Sequence, residues 1–436
     1  MTWRNLAATL IGCVLSVSTA AAEHRDTVLY VEEPKDAVLK QIEQRDNALL
    51  EAAEAKTAEI LEQLKTEAEA REESRPKLRF DLSHLKRPSS PDAFETRHWH
   101  FPPTPQYMTG ACWSFSATSF FESEIRRTTG QEIKLSEMWT VYWEFVNKAR
   151  GYVRSRGETL FDHGSQSAAL VRVYEQHGVV PRSDYEGVVN EDGLFDHDIM
   201  HEQMMSFLEW CRESNFWDEE IIVDMIRRLL DATMGRPPET IEWQGRSMDP
   251  LTFLDEVCRL ELDDYVELMS TLSQPFWEYG IYDVPDNWWR GSTYLNVPLE
   301  DWYAVILRTM THGGSLLIGG DVSEPGLNGF EDVAVVPSFD IPGQYIDQNA
   351  REYRFYNSTT TDDHGIHVVG YTVVDGHDWF LIKDSNRSSR AGRFEGYYMY
   401  RDDYVKLKML TIMVHKDNVE DLLARVEGKP RELRSQ

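Results

Sequence analysis

Apolar positions change their spacing twice along this 436-residue chain. Residues 35–73 contain no Gly or Pro, are rich in Ala, Glu, Leu and Lys, and place Leu50, Ala53, Thr57, Ile60 and Leu64 three or four apart. That spacing predicts a long amphipathic helix, and Pro34 suits a first turn, where a missing N–H costs nothing. The apolar stripe is thin, which fits either a solvated helix lying on the body or a short coiled coil or partner-binding arm. Pro76, Pro88 and Pro91 then break the pattern and mark a linker. A second helix is predicted from near Cys112 through "FFESEIRRTTG" to Gly130, and a third from a Ser136 cap. Between about 190 and 312, helix-period stretches such as "EEIIVDMIRRLLDATM" mix with aromatic loops. The last third turns to "SLLIGGDV", "GIHVVGYTVV", "WFLIKDS" and "GYYMYRDDYV", short β-branched or aromatic runs that predict strands. Helices first and strands last predict a segregated α+β fold.

Composition sharpens this picture. Apolar residues make up 41% of the chain, with 13 Trp, 19 Tyr and 18 Phe, ample for a core. The formal charge of −29 argues against a nucleic-acid partner, because phosphate binding relies on Lys and Arg releasing counterions. The opening "MTWRNLAATLIGCVLSVSTAAAEH" has one arginine, an apolar run, then small residues at Ala20 and Ala22. This is the pattern of a signal peptide cleaved after Ala22, and predicts an exported protein, periplasmic or secreted, with no membrane association after cleavage. The apolar run is too short to span a bilayer, although "LIGC" also imitates a lipoprotein box at Cys13. Cleavage leaves Cys112, Cys211 and Cys258. Either Cys211 pairs with Cys258 and Cys112 is left over, or the two are separately buried thiols.

Free cysteine is more often an inert small hydrophobe than a reagent. A helix start changes that balance, because its partial positive charge and unpaired N–H groups stabilise a thiolate. Cys112 stands at such a start. In "DDHGIHVVGY", a strand places His364 on one face with Ile366, Val368 and Gly370, and His367 on the other. Asp384, closing "WFLIKDS", is positioned to accept the Nδ1–H of His364, which would make a nucleophile, base and orienter set. A metal set was weighed in His98 and His100 of "RHWHF" and in Asp362 and Asp363 beside His364. His-x-His without a third ligand in reach is weak evidence, so neither metal nor organic cofactor is expected.

These residues lie in motifs that resemble the papain-family cysteine peptidases. "QYMTGACWSFSA", from Gln106 through Cys112, resembles the segment holding the family's oxyanion glutamine and nucleophile. "HGIHVVGY" is similar to its histidine strand, with His364 rather than His367 at the histidine position. "WFLIKDSN" resembles the strand of the third catalytic residue, and "TTGQEIKLSE" the approach to the next helix. "YEQHGVVPRSDY", "GRPPETIEW", "MDPLTFLDEV" and "YLNVPLEDW" ahead of "LLIGGDV" are similar to the bleomycin hydrolase/aminopeptidase C branch, over residues 80–423.

The resemblance implies a papain-like two-lobe fold, a helical lobe with Cys112 and a β-rich lobe with His364. It implies a signal peptide at 1–22, an acidic helix and linker at 23–79, and a peptidase domain at 80–436 with a helical insertion at about 190–312. It implies peptide substrates, Cys112 as nucleophile, His364 as acid–base, Asp384 as orienter, Gln106 in the oxyanion hole, and Gly164 and Ser165 of "FDHGSQSAAL" pairing with substrate backbone. The branch tends to form hexameric rings, whose closure the acidic extension and altered tail would oppose.

Departures from the pattern carry their own expectations. Thr109 replaces a disulfide cysteine of secreted papain relatives, and Ser165 a glycine of the cleft. Asp384 stands for asparagine, which implies a shifted pH profile. Asn386 stands for a shielding tryptophan, which would leave Asp384 wetter and its help weaker. The ending "EGKPRELRSQ" is shorter and more basic than the branch's tail, which captures the substrate's free amine, and this implies some endopeptidase activity. The same changes suit a catalytically relaxed binding scaffold, or a cleft that the 35–73 helix occludes as a propeptide would.

Overall fold

The computed structural model describes residues 26–426 except Lys77, Arg79, Phe80, Val189 and Pro325. The expected signal peptide and the tail at 427–436 lie outside the described residues. The chain divides into two compact units, Met1–Lys77 and Leu78–Gln436.

In the first unit a single helix, α1 (Ala37–Ser74), occupies the segment whose spacing predicted it. Its start is set by Asp36 rather than Pro34, because the Asp36 carboxylate accepts the Val38 and Leu39 N–H groups, two donors that no helical carbonyl reaches. No residue of α1 is buried.

The second unit opens with helices. These are α2 (Cys112–Thr129), α3 (Glu137–Arg154), α4 (Ser167–His177), α5 (Asp198–Glu213) and α6 (Glu219–Met234). Gly130 ends α2 in the left-handed region at φ 75°, its N–H returning to the Arg126 carbonyl. The Ser136 hydroxyl caps α3 by accepting the Trp139 N–H. Phe120, Phe121, Trp139, Tyr142, Leu170, Ile226 and Leu230 fill one core among these helices.

Strands supply the other half. β1 (Thr96–Arg97) is short, and β2 (Ile241–Trp243) with β3 (Arg246–Met248) forms a separate antiparallel hairpin. The main sheet takes β4 (Tyr265–Met269), β5 (Glu278–Gly280), β6 (Tyr294–Asn296), β7 (Leu316–Gly320), β8 (Leu327–Asn328) and β9 (Val333–Ala334). It is completed by β10 (His364–Val374), β11 (His377–Lys383), β12 (Tyr397–Arg401) and β13 (Met409–His415). The order is β5-β6-β4-β13-β7-β10-β11-β12-β9-β8, with β1 pairing to β10. Ile318, Ile366, Phe380 and Ile412 pack from it onto Trp302 and Ile306 of the helix Leu299–Thr311, making a second core.

The structure adds strands within the segment read as a helical insertion and decides between the two alternatives for its cysteines. The hairpin of β2 and β3 and the main-sheet strands β4, β5 and β6 lie inside that segment. β4 escaped notice because Glu267 interrupts its apolar run, although that side chain is buried and its carboxylate accepts the Thr293 hydroxyl. The Cys211–Cys258 pairing does not occur: both are buried free thiols, and burial pushes each thiol up.

The feature that positions the site is the contact between the start of α2 and the start of β10. A Cβ on Gly365 would lie 2.9 Å from Ser116 Oγ and 3.4 Å from Trp113 Cα. Only a residue without a side chain lets the strand approach that closely. Its neighbour His364 is thereby carried to the first turn of α2.

Candidate active site

Cys112 is the first residue of α2 and is partly exposed. The residue before it, Ala111, supplies no side-chain cap, and its carbonyl accepts the Ser114 N–H, which leaves the Cys112 and Trp113 N–H groups at the helix start. A carbonyl oxygen or thiolate placed there meets the positive end of an 18-residue helix.

His364 opens β10 opposite Gly320 of β7. Its Nε2–H donates to Asp384 Oδ1 at 2.7 Å, and the two side chains are 3% and 2% exposed. The nitrogen facing Asp384 is therefore Nε2 and not the expected Nδ1, which leaves Nδ1 to the Cys112 side. The reason is the sheet: Asp384 follows directly on β11, next to β10, while the thiol approaches from α2. Burial opposes protonation of His364, but the Asp384 carboxylate and the Cys112 sulfur outweigh it and hold the imidazole well above its usual range.

Asp384 is not the wet carboxylate that loss of a tryptophan shield suggested. Asn386 donates its backbone N–H to Asp384 Oδ1 at 2.9 Å and begins the turn Arg387–Arg390, accepting the Ser388 N–H on its own side chain. The carboxylate is thus buried and bonded both by the imidazole and by the backbone that enters the turn.

Gln106 is buried beside this group. Its Nε2 donates to the Thr109 carbonyl at 2.6 Å, which leaves the second amide N–H, and its Oε1 accepts the Ser385 hydroxyl at 2.7 Å. The Gln106 N–H also bonds the Ser385 carbonyl at 3.0 Å. Ser385 therefore fixes which way the amide points. Sequence reading passed over it, although it adjoins Asp384 in "KDSN".

Gly164 and Ser165 lie on the neighbouring wall. His163 packs on Gly110, where a Cβ would meet the His163 Cβ at 2.5 Å, and the Trp113 indole N–H donates to the His163 carbonyl at 3.2 Å. The Gly164 carbonyl accepts from the buried Lys148 ammonium. The Ser165 hydroxyl donates to Glu144 at 2.7 Å, within a buried group that includes Arg172 and the Trp288 indole. The serine thus ties this wall to Glu144 of α3.

The residues weighed for a metal are dispersed among other contacts. His98 bonds the Met310 carbonyl, and His100 the His98 carbonyl and the Tyr397 hydroxyl. Asp362 accepts from Gln166, its carboxyl pushed up to about 7 by burial, and Asp363 accepts the Val322 N–H. His367 is buried under α2 with Nδ1 2.9 Å from Ser119 Oγ.

Comparison with known proteins agrees with this arrangement. Residues 83–435 match the model of the Peptidase C1-like family. Bleomycin hydrolase of Gallus gallus is 20% identical over 381 residues, covering 76% of this chain and 83% of that protein. The Mus musculus bleomycin hydrolase is 21% identical over 380 residues, covering 76% and 83%. The crystal structure of PepW from Lactobacillus rhamnosis HN001 superposes with a TM-score of 0.60 at 16% identity, covering 77% of this chain and 86% of that one, a likeness of fold. The chain belongs to the Peptidase C1-like family and is a papain-like cysteine peptidase of the bleomycin hydrolase branch.

Proposed function

We propose that this protein hydrolyses peptide bonds with Cys112 as nucleophile, His364 as acid–base, Asp384 as orienter and Gln106 as oxyanion donor. The observation that carries the reading is His364, buried between Asp384 and Cys112 and biased to its protonated form. A Cys112 thiolate beside that imidazolium attacks the substrate carbonyl carbon and forms the tetrahedral adduct. The second Gln106 amide N–H and the Cys112 backbone N–H receive the oxyanion. His364 protonates the leaving amine, and the acyl group remains on sulfur as a thioester. Neutral His364 then takes a proton from water, whose oxygen displaces the thiolate and releases the carboxylic acid.

Removing an oxyanion donor costs about 10²- to 10³-fold in kcat, and Gln106→Ala is expected to fall in that range. Ser385→Ala keeps the donor but frees its carbonyl end, so a loss of about fivefold in kcat is expected, the worth of one hydrogen bond. Steady-state kinetics on a fluorogenic peptide measures both. Equal losses from the two variants would contradict the assignment of Ser385 as a positioning residue.

The substrates are peptides, held along Ser165 and the Gly164 N–H, since Lys148 occupies the Gly164 carbonyl. Some endopeptidase action besides removal of N-terminal residues is part of this proposal. A peptide and its N-acetylated form should both be cleaved, and complete dependence on the free amine would rule out the endopeptidase part. The leader supports export to the periplasm or beyond, and the branch supports a homo-oligomer.

A further inference from the structure

Among the described residues, Asp162, His163 and His201 bring one ligand atom each within 4.8 Å of one another. His201 Nε2 lies 3.9 Å from Asp162 Oδ1, and the His163 and His201 rings are 4.2 Å apart. The sequence pattern pointed to His98, His100, Asp362 and Asp363 instead of "HDIMH" at 197–201, where two histidines stand four apart at the start of α5.

A second observation is independent of that spacing. His197 is 2% exposed, and neither of its ring nitrogens has a hydrogen-bond partner among the described residues. His163 Nδ1 is likewise buried and unpartnered among the described residues. Buried polar atoms are ordinarily bonded, so orphaned nitrogens in neighbouring rings point to an absent ion or water. Two imidazoles and a carboxylate are a ligand set suited to a borderline transition cation.

We propose that Asp162, His163 and His201 bind a divalent cation of the zinc class, with the fourth position left to solvent. Tetrahedral zinc at bond lengths of about 2.0–2.1 Å sets its ligand atoms about 3.3 Å apart. The three-residue group therefore contracts modestly, and His201 exchanges its 3.2 Å bond to the Phe161 carbonyl for the metal. Asp196 and Asp198 offset the positive end of α5 at this point. Because His163 packs on Gly110 and accepts from Trp113, the ion would tie the wall flanking Cys112 to α5.

The test uses the full chain carrying Cys112→Ala, so that binding at the nucleophile is removed and no peptidase activity is needed. Titration with Co²⁺ should show one equivalent bound, with the visible absorption of a tetrahedral nitrogen and oxygen site and no thiolate charge-transfer band. Adding His201→Gln should weaken binding at least tenfold, as should His163→Ala in a separate variant, with circular dichroism confirming the fold. Zn²⁺ should raise the melting temperature of the Cys112→Ala protein and leave the His201→Gln double variant unmoved. Failure of the Cys112→Ala protein to bind Co²⁺, a thiolate band, or undiminished binding by both histidine variants would each overturn the proposal.

Discussion

His364→Ala is expected to lower kcat by roughly 10⁴- to 10⁶-fold, and Cys112→Ala by as much, with the double variant little worse than either. The two groups act as one unit, so removing either removes the pair. The structural basis is the close approach at Gly365, which sets the imidazole beside the sulfur at the uncapped start of α2. The same His364→Ala change should slow alkylation of Cys112 by iodoacetamide at mildly acidic pH, where an isolated thiol is almost wholly protonated. Additive losses from the two single variants, or alkylation at the wild-type rate without His364, would contradict the pairing. Labelling separates a working site from a relaxed scaffold without requiring the right peptide.

Asp384→Ala is expected to reduce kcat by about 10²-fold or more, at the lower end of what a positioned acid–base contributes. Asp384→Asn should retain activity within about tenfold, since an amide oxygen still accepts the Nε2–H, but its pH profile should change. Against the opposing effect of burial, the Asp384 carboxylate is the foremost group holding His364 protonated. Without its charge the His364 pKa falls, and the alkaline limb of kcat/KM moves to lower pH. Stability follows the same sign. A histidine whose folded pKa is raised stabilises fully below its unfolded value of about 6.5, and loses that contribution as pH climbs through the raised value. The denaturant midpoint of the wild type should therefore decline with pH above about 6.5, and that of Asp384→Asn should decline less. An unmoved alkaline limb in Asp384→Asn would show that the carboxylate does not control the imidazole.

Some particulars of the site were legible before any coordinates. The start of α2 at Cys112, its stop at Gly130 and the Ser136 cap of α3 depend on neighbours within a turn, and local pattern reveals them. The strand parity that singled out His364 from His367 is also local. The ring nitrogen at Asp384 was misassigned, because which side of an imidazole meets which partner depends on the direction from which two distant segments arrive. The supposed wetness of Asp384 was misjudged for a related reason. A missing tryptophan is visible in sequence, whereas the burial of Asp384 and the backbone N–H that Asn386 gives it are not. β4 was hidden because Glu267 is a charge that only a cross-segment partner, Thr293, makes tolerable in a sheet.

By itself, the amino-acid order determined the helical and strand-forming halves, the nucleophile at a helix start, and the histidine and carboxylate held in store for it. Tertiary structure alone decided that Ser385 aims Gln106, that Ser165 turns inward to Glu144, and that Asp162 and His163 meet His201 of α5. The division follows from range: backbone preferences and caps act over a few residues, while desolvation and the pairing of buried polar groups exist only once segments far apart in the chain are packed together.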